Sequence, residues 1–299
     1  MEGPKHQLII LFLMLCIGSN GREPATNRQR KSHFDMNEKL TLFRTAEIST
    51  HGIHRNNHFS GDKIAQTAIS HTNYAAQGKN SYKEQIYSAY ISGRMEIWKA
   101  TLDAMEGQKS SDPEFLLQLI NYQYGYVAWC LGNDKKPEAK IYLSLLEENL
   151  KKLKKESGET AEYHAYTAAT YGFKIGLKVW RAPFYGPKSM KHAEEALETD
   201  SLSFHANMEM GNIWNHMPAV FGGSKEKALR HYAKALEILK KKPEKHLKNN
   251  WMHLNLLTLI GRLNLETGNQ EEAKKYFEQV LRIEPEFTWV KEELLPSLK

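Results

Sequence analysis

The sequence predicts an all-α chain of stacked antiparallel helical hairpins, and three observations predict it. Leu, Ala, Glu and Lys abound while Val occurs only five times, a composition that favours helix over strand. Apolar residues recur at three and four positions through most of the chain after residue 62, with no useful run of strand-like alternation. Small residues and aromatics then repeat at fixed spacings in successive segments, the mark of a repeat architecture. The 299 residues are 41% hydrophobic and 25% charged, which argues against wholesale disorder. A formal charge of +6 spread over short runs gives no concentrated basic face, so nucleic acid is not an expected partner.

The N-terminal residues read as an address. Leu8–Ile17 is an unbroken apolar run of ten, too short to span a bilayer core that needs about 20 helical residues. With Lys5 before it and Ser19-Asn20-Gly21 after it, residues 1–21 read as a secretory signal peptide cleaved after Gly21. Cys16 keeps a second reading open, a lipid anchor, although in Leu13-Met14-Leu15 before it the bulky Leu15 stands where Gly or Ala is expected. Export to the periplasm or cell envelope is the expected location. Cys130 is the one other cysteine, so no disulfide framework is expected and the fold must stand on packing.

Residues 22–60 are expected to form a flexible N-terminal arm, because Arg22–Lys31 is polar and basic without hydrophobic period. His51, His54 and His58 have helical spacing, but Gly52, Gly61 and Asn56-Asn57 favour a solvated loop over a metal site. From 61 to 299 the helical repeats follow. Periodic segments cover Lys63–Ala76 and Tyr82–Met105. Asp112 can cap, and Pro113 fits the first turn of, the next helix. Polar breaks stand at Gly132-Asn133-Asp134, Gly158, Gly186-Pro187, Gly222-Gly223-Ser224, Pro243 and Gly268-Asn269.

The repeat is clearest near the C-terminus. Gly261 and Ala273 are small enough to let two helices approach, Phe277 fills the space between them, Gly268 supplies a left-handed turn, and Pro285 ends the second helix. This pattern resembles the 34-residue tetratricopeptide repeat over Leu254–Phe287, although Asn264 stands where an aromatic is usual. Gly211 with Ala228, Tyr232 and Ala235, and Gly172 with Ser189, Ala193 and Ala196, repeat the skeleton at a wider Gly-to-small spacing of seventeen. Two consecutive units therefore carry insertions of equal length. More degenerate units are expected near 118–150, around Gly125 and Ala139, and near 82–107. The remaining units are bounded near 165–201, 204–240 and 254–287, with a capping helix over 288–298.

The resemblance implies a curved solenoid whose first helices line a concave groove. Carried over position by position, it implies a binding wall that includes Tyr122, Tyr126, Trp129, Tyr166, Phe173, His205, Asn212, His216 and Arg262. The competing reading makes these aromatics core, since Met and aromatic residues at helical spacing usually pack on neighbours. The insertions Arg181–Pro187 and His216–Ser224 bring Pro183, Tyr185, Pro218 and Phe221 to turns that either line a groove mouth or brace adjacent repeats. Residues Asn212–Ala235, with their Pro-aromatic-Gly-Gly insertion, are also similar to the T-component family of TRAP transporters, which implies an exported accessory to a substrate-binding component.

Signatures of catalysis are missing. There is no Gly-x-Ser-x-Gly elbow, no phosphate-binding Gly loop followed by Lys-Ser/Thr and no His-Glu-x-x-His pair. His205 and His216 share a helix face but stand about 16 Å apart, too far for one ion. His164 and His192 have no partner visible in the sequence. The expectation is an exported, non-enzymatic scaffold without metal or cofactor that holds a protein or peptide in its groove. The alternative is a periplasmic accessory that binds a hydrophobic small molecule or lipid for a transport system.

Overall fold

A computed structural model describes residues 81–298. The expected signal peptide, the expected arm with His51, His54 and His58, the candidate anchor at Cys16 and the segment Lys63–Ala76 lie outside the described residues. Among the described residues there are eleven α-helices and no strand. Ten of them form five successive hairpins: α1 (Tyr82–Ser92) with α2 (Met95–Gly107), α3 (Pro113–Gly132) with α4 (Lys136–Ser157), α5 (Ala161–Leu177) with α6 (Ala182–Thr199), α7 (Phe204–His216) with α8 (Lys225–Lys240), and α10 (Trp251–Glu266) with α11 (Gln270–Ile283). A four-residue helix, α9 (Glu244–Leu247), precedes the last pair. No described helix is long and apolar enough to cross a membrane.

Local chemistry sets the helix boundaries. Ser81 opens α1 with a capping box: its hydroxyl accepts from Glu84 N, and the Glu84 carboxylate accepts from Ser81 N at 3.0 Å. Asp112, Thr160, Ser203, Ser224 and Asn250 cap α3, α5, α7, α8 and α10 by a side-chain oxygen alone, each satisfying an otherwise orphaned N–H worth about 1 kcal/mol. Gly268 ends the last first-helix with φ +83, a backbone conformation that glycine adopts without strain. The segment 288–298 is helical but not regular: an α-type turn, in which Lys291 N donates to Phe287 O at 3.0 Å, leads into a π turn, Val290–Leu294, closed by Leu295 N donating to Val290 O at 3.0 Å, and then a 3-10 turn from Pro296. Pro296 has no N–H to continue an α-helix, so the segment cannot extend.

Within two hairpins the repeat skeleton meets as the residue types demand. A Cβ at Gly261 would lie 2.5 Å from the Phe277 ring, and one at Gly211 would lie 2.5 Å from the Tyr232 ring, so only glycine admits these aromatics. Gly172 departs from that role: a Cβ there would meet nothing within 4 Å. The cause is its partner. The position that holds Tyr232 in the next unit holds Ala193 here, and the buried contact of α5 with α6 runs through Ala168, Ala193 and Ser189 instead of an aromatic.

Helix α10 decides the architecture. Thirteen of its 16 residues are buried, on all sides and not along one stripe. It packs on α11 and α8, and also on α1 of the first hairpin. Trp251 reaches the Trp98 ring at 5.1 Å and the Tyr90 ring at 5.7 Å, and its indole N–H donates to Asn121 Oδ1 at 2.8 Å. The last repeat therefore inserts its first helix into the space the earlier hairpins enclose. The stack closes on itself, and one continuous apolar cluster runs from Ile86 to Val290.

Candidate functional site

The inner wall implied by the repeat resemblance is occupied. Tyr122, Tyr126 and Tyr166 are buried, and Trp129, Phe173, His205, Asn212, His216 and Arg262 are partly buried against neighbouring helices. This corrects the expectation of a free concave groove, because the helix that would flank it, α10, fills it. The competing core reading holds for the aromatics.

These residues still share a structure, a polar seam across the interior. Asn212 Nδ2 donates to the Tyr124 hydroxyl at 2.9 Å and to Glu209 Oε2 at 3.0 Å, while Tyr232 donates to Asn212 Oδ1 at 2.8 Å. Asn121 Nδ2 donates to the Tyr166 hydroxyl at 2.7 Å. Tyr166 lies 5.1 Å from the His205 ring, and Phe173 lies 5.5 Å from Tyr124. Tyr126 donates to Glu138 at 2.9 Å and stacks on Trp129, over which Lys135 Nζ sits at 4.7 Å. The Arg262 guanidinium stands over Trp289 at 5.5 Å.

Burial dominates the titration of this seam. It pushes the Glu209 carboxyl up to about 8, opposed by the Asn212 hydrogen bond. It pulls His205 down to about 4 against the raising influence of Glu162. It pulls His216 down to about 4 as well, helped by Lys225 and Arg262. Burial also pushes the Cys130 thiol up to about 12, so it is a packed thiol without an activating environment. The cavity lined by Tyr124, Tyr166, His205, Met208, Glu209 and Met252 has room for about one water molecule. Glu209, Tyr124 and Asn121 belong to this seam and were not among the sequence candidates. A lone carboxylate amid the buried run Ala206–Gly211 was the available signal for the first.

The two insertions do different things. The first is absorbed into helix: a 3-10 turn, Val179–Arg181, leads directly into α6, with Pro183 in its first turn where no N–H is needed. Tyr185 folds back on Tyr171 at 5.6 Å, whereas Pro183 is exposed and Trp180 and Phe184 are each 66% exposed. The second insertion is a tight built turn. Phe221 N and Gly223 N both donate to Pro218 O, Gly222 N donates to Ala219 O, and Ser224 N donates to Trp214 O, all at 2.9–3.1 Å. A Cβ at Gly223 would lie 1.8 Å from Met217 O, so the turn requires glycine there. Pro218 is partly buried at its base, and its tip carries Val220 at 86% and Phe221 at 69% exposure. Both turns join the first to the second helix of consecutive hairpins, so they belong to the same edge of the stack.

A third cluster corrects the reading that His164 and His192 lack partners. His164 on α5 and His192 on α6 place their Nδ1 atoms 3.1 Å apart, and Glu195 Oε2 lies 3.2 Å from the first and 3.0 Å from the second.

Residues 254–287 match the family model of the tetratricopeptide repeat, so the last hairpin is a tetratricopeptide repeat. No curated protein matches the chain significantly. Among solved structures, a thermophilic TPR protein of Thermus thermophilus is similar at 16% identity and a TM-score of 0.45, over 73% of this chain and 98% of that one. The HusA haemophore from Porphyromonas gingivalis is similar at 19% identity and a TM-score of 0.46, over 70% of this chain and 97% of that one.

Proposed function

We propose that this chain is an exported, non-enzymatic repeat scaffold that docks a polypeptide on the edge formed by its two apolar turns. The observation that carries the reading is the Val220-Phe221 tip. Two large apolar side chains are held in solvent by a turn locked with four backbone hydrogen bonds, so the tip cannot fold back to hide them. Trp180 and Phe184 extend the apolar character along the same edge. Charge narrows the partner. Residues 178–188 carry Lys178, Arg181 and Lys188 and no acid, whereas Lys225 after the second turn is paired with Glu266 at 3.0 Å. The fitting partner is an acidic segment with apolar anchors. Export is supported by the apolar run Leu8–Ile17 and the small residues Ser19 and Gly21 that follow. The described cavity near Tyr166 and Glu209 holds about one water, too little for a carried molecule.

The test is site-specific photo-cross-linking in the source cell envelope, with the reactive residue placed at Val220 or at Ile141, an exposed apolar position on α4. A polypeptide adduct formed from position 220 and not from position 141 is the expected result. Equal adducts from both positions, or none from 220, would overturn the docking edge, and a lipid-like mass retained in native mass spectrometry would then favour the carrier.

A further inference from the structure

The buried contact of the α5–α6 hairpin contains no aromatic. It is built from Ala165, Ala168, Ala193, Ala196 and Ser189, so it gains less from burial than its neighbours. At the margin of that contact stand the buried His164 and the partly exposed His192 and Glu195. Their three facing atoms form a triangle with sides of 3.1, 3.2 and 3.0 Å.

Hydrogen bonds serve at most two sides of this triangle. A single proton, on either Nδ1, leaves two lone pairs facing each other at about 3 Å along the side it does not serve. Protons on both nitrogens let both donate to the Glu195 carboxylate, which leaves the two donors 3.1 Å apart with no bond between them. A cation attracts all three atoms at once. For zinc, bonds of about 2.0–2.1 Å in a tetrahedron set ligand atoms about 3.3 Å apart, close to the distances present. The outer atoms are also held. Glu159 Oε2 lies 3.8 Å from His164 Nε2, Lys191 Nζ lies 3.6 Å from Glu195 Oε1, and the Tyr171 ring stacks on His192 at an interplanar angle of 14°. The His192 and Glu195 side chains are 24% and 29% exposed, which leaves an entry path and a fourth position for water.

We infer that His164, His192 and Glu195 form a binding site for one divalent transition-metal ion of the zinc class, which clips α5 to α6. Two imidazoles and one carboxylate suit zinc or cobalt and not magnesium or calcium.

The test is metal titration of the full chain near neutral pH. Equilibrium dialysis with zinc is expected to give one tight equivalent that H192A and E195Q each weaken at least tenfold, and cobalt is expected to give the visible band of a four-coordinate ion that both variants lose. Zinc is also expected to raise the melting temperature of the wild-type chain, with magnesium leaving it unchanged. Because His51, His54 and His58 could also collect metal, the triple variant H51Q/H54Q/H58Q is measured alongside and is expected to keep the full equivalent. Zinc binding that survives H192A and E195Q intact, or that disappears in the triple variant, would overturn the site.

Discussion

Glu209 offers the sharpest test of the closed interior. Its carboxyl is buried beside Tyr124, Tyr166, Tyr232 and His205, with Asn212 as its hydrogen-bond donor, and burial raises its folded pKa to about 8. In the unfolded chain a glutamate titrates near 4.3. A carboxylic acid with a raised folded pKa binds more protons folded than unfolded between those values, so stability falls as pH rises through that window. Between pH 5 and pH 8 this one group is expected to cost about 3–4 kcal/mol, at about 1.36 kcal/mol for each pH unit crossed. The substitution E209Q keeps an oxygen for Asn212 and removes the charge. Its unfolding free energy, from urea titrations, should lie within about 1 kcal/mol of wild type at pH 5 and exceed it by about 3–4 kcal/mol at pH 8. His205 and His216 act oppositely. Their lowered folded pKa values, about 4, contribute stability that is present above about pH 6.5 and lost as pH falls toward 4. Measuring the difference between wild type and E209Q cancels those histidines. A difference that does not change between pH 5 and pH 8 would show that Glu209 is solvated and the interior open.

Two further substitutions probe the packing. The closing contact predicts that W251A loses about 3–5 kcal/mol, while W251F loses less because it forfeits mainly the 2.8 Å bond to Asn121; a loss below about 1 kcal/mol for W251A in urea unfolding would mean the last repeat does not seal the first. The glycines predict a contrast of sign: G211A drives a methyl to 2.5 Å from Tyr232 and should cost about 1–3 kcal/mol, whereas G172A enters open space in mid-helix and should gain up to about 1 kcal/mol, with equal effects in thermal melts refuting the different roles assigned to them.

Much of the fold was legible because the repeat is written in local pairs. Gly261 with Phe277 and Gly211 with Tyr232 are each a small residue and an aromatic a fixed distance apart, and their meeting needs only one hairpin. Asp112 before Pro113 states a helix start within two residues. The closure was not legible, and α10 shows why. Asn255 and Thr258 stand at positions that the repeat resemblance assigns to a groove, and Asn264 where it expects an aromatic. In the structure that polarity is consumed internally: Thr258 donates to Leu254 O at 2.8 Å, Asn264 Nδ2 donates to Ile260 O at 2.9 Å, and Asn255 accepts from the Tyr90 hydroxyl at 3.2 Å. Side chains that bond their own helix look hydrophilic in sequence and can still be buried. The His164–His192–Glu195 triangle was hidden for a different reason. Its members lie on two helices, and their juxtaposition depends on the register of α5 against α6, which the alanines at that contact leave unmarked.

The closed interior also changes what the insertions mean. In an open stack, apolar residues at the turns could be read as extra lining for a groove. Among the described residues α10 occupies the inner wall, and bracing is an incomplete account: Tyr185 and Pro218 turn inward while Val220 and Phe221 do not. The architecture does not demand apolar turns. Other hairpin turns in the same stack are polar, at Gly132-Asn133-Asp134 and at Gly268-Asn269. Fully burying a side chain such as Val220 or Phe221 is worth about 1.5–3 kcal/mol, and the fold leaves that gain unrealised at both. A chain that buries Tyr122, Tyr126, Tyr166 and Tyr232 in its central repeats, yet uses a glycine-dependent turn to hold these two side chains in water, has an interior that accounts for its stability and an edge that its stability does not explain. On the proposed docking reading the partner covers these side chains, and Lys178, Arg181 and Lys188 at the first turn favour acidic groups beside its apolar ones.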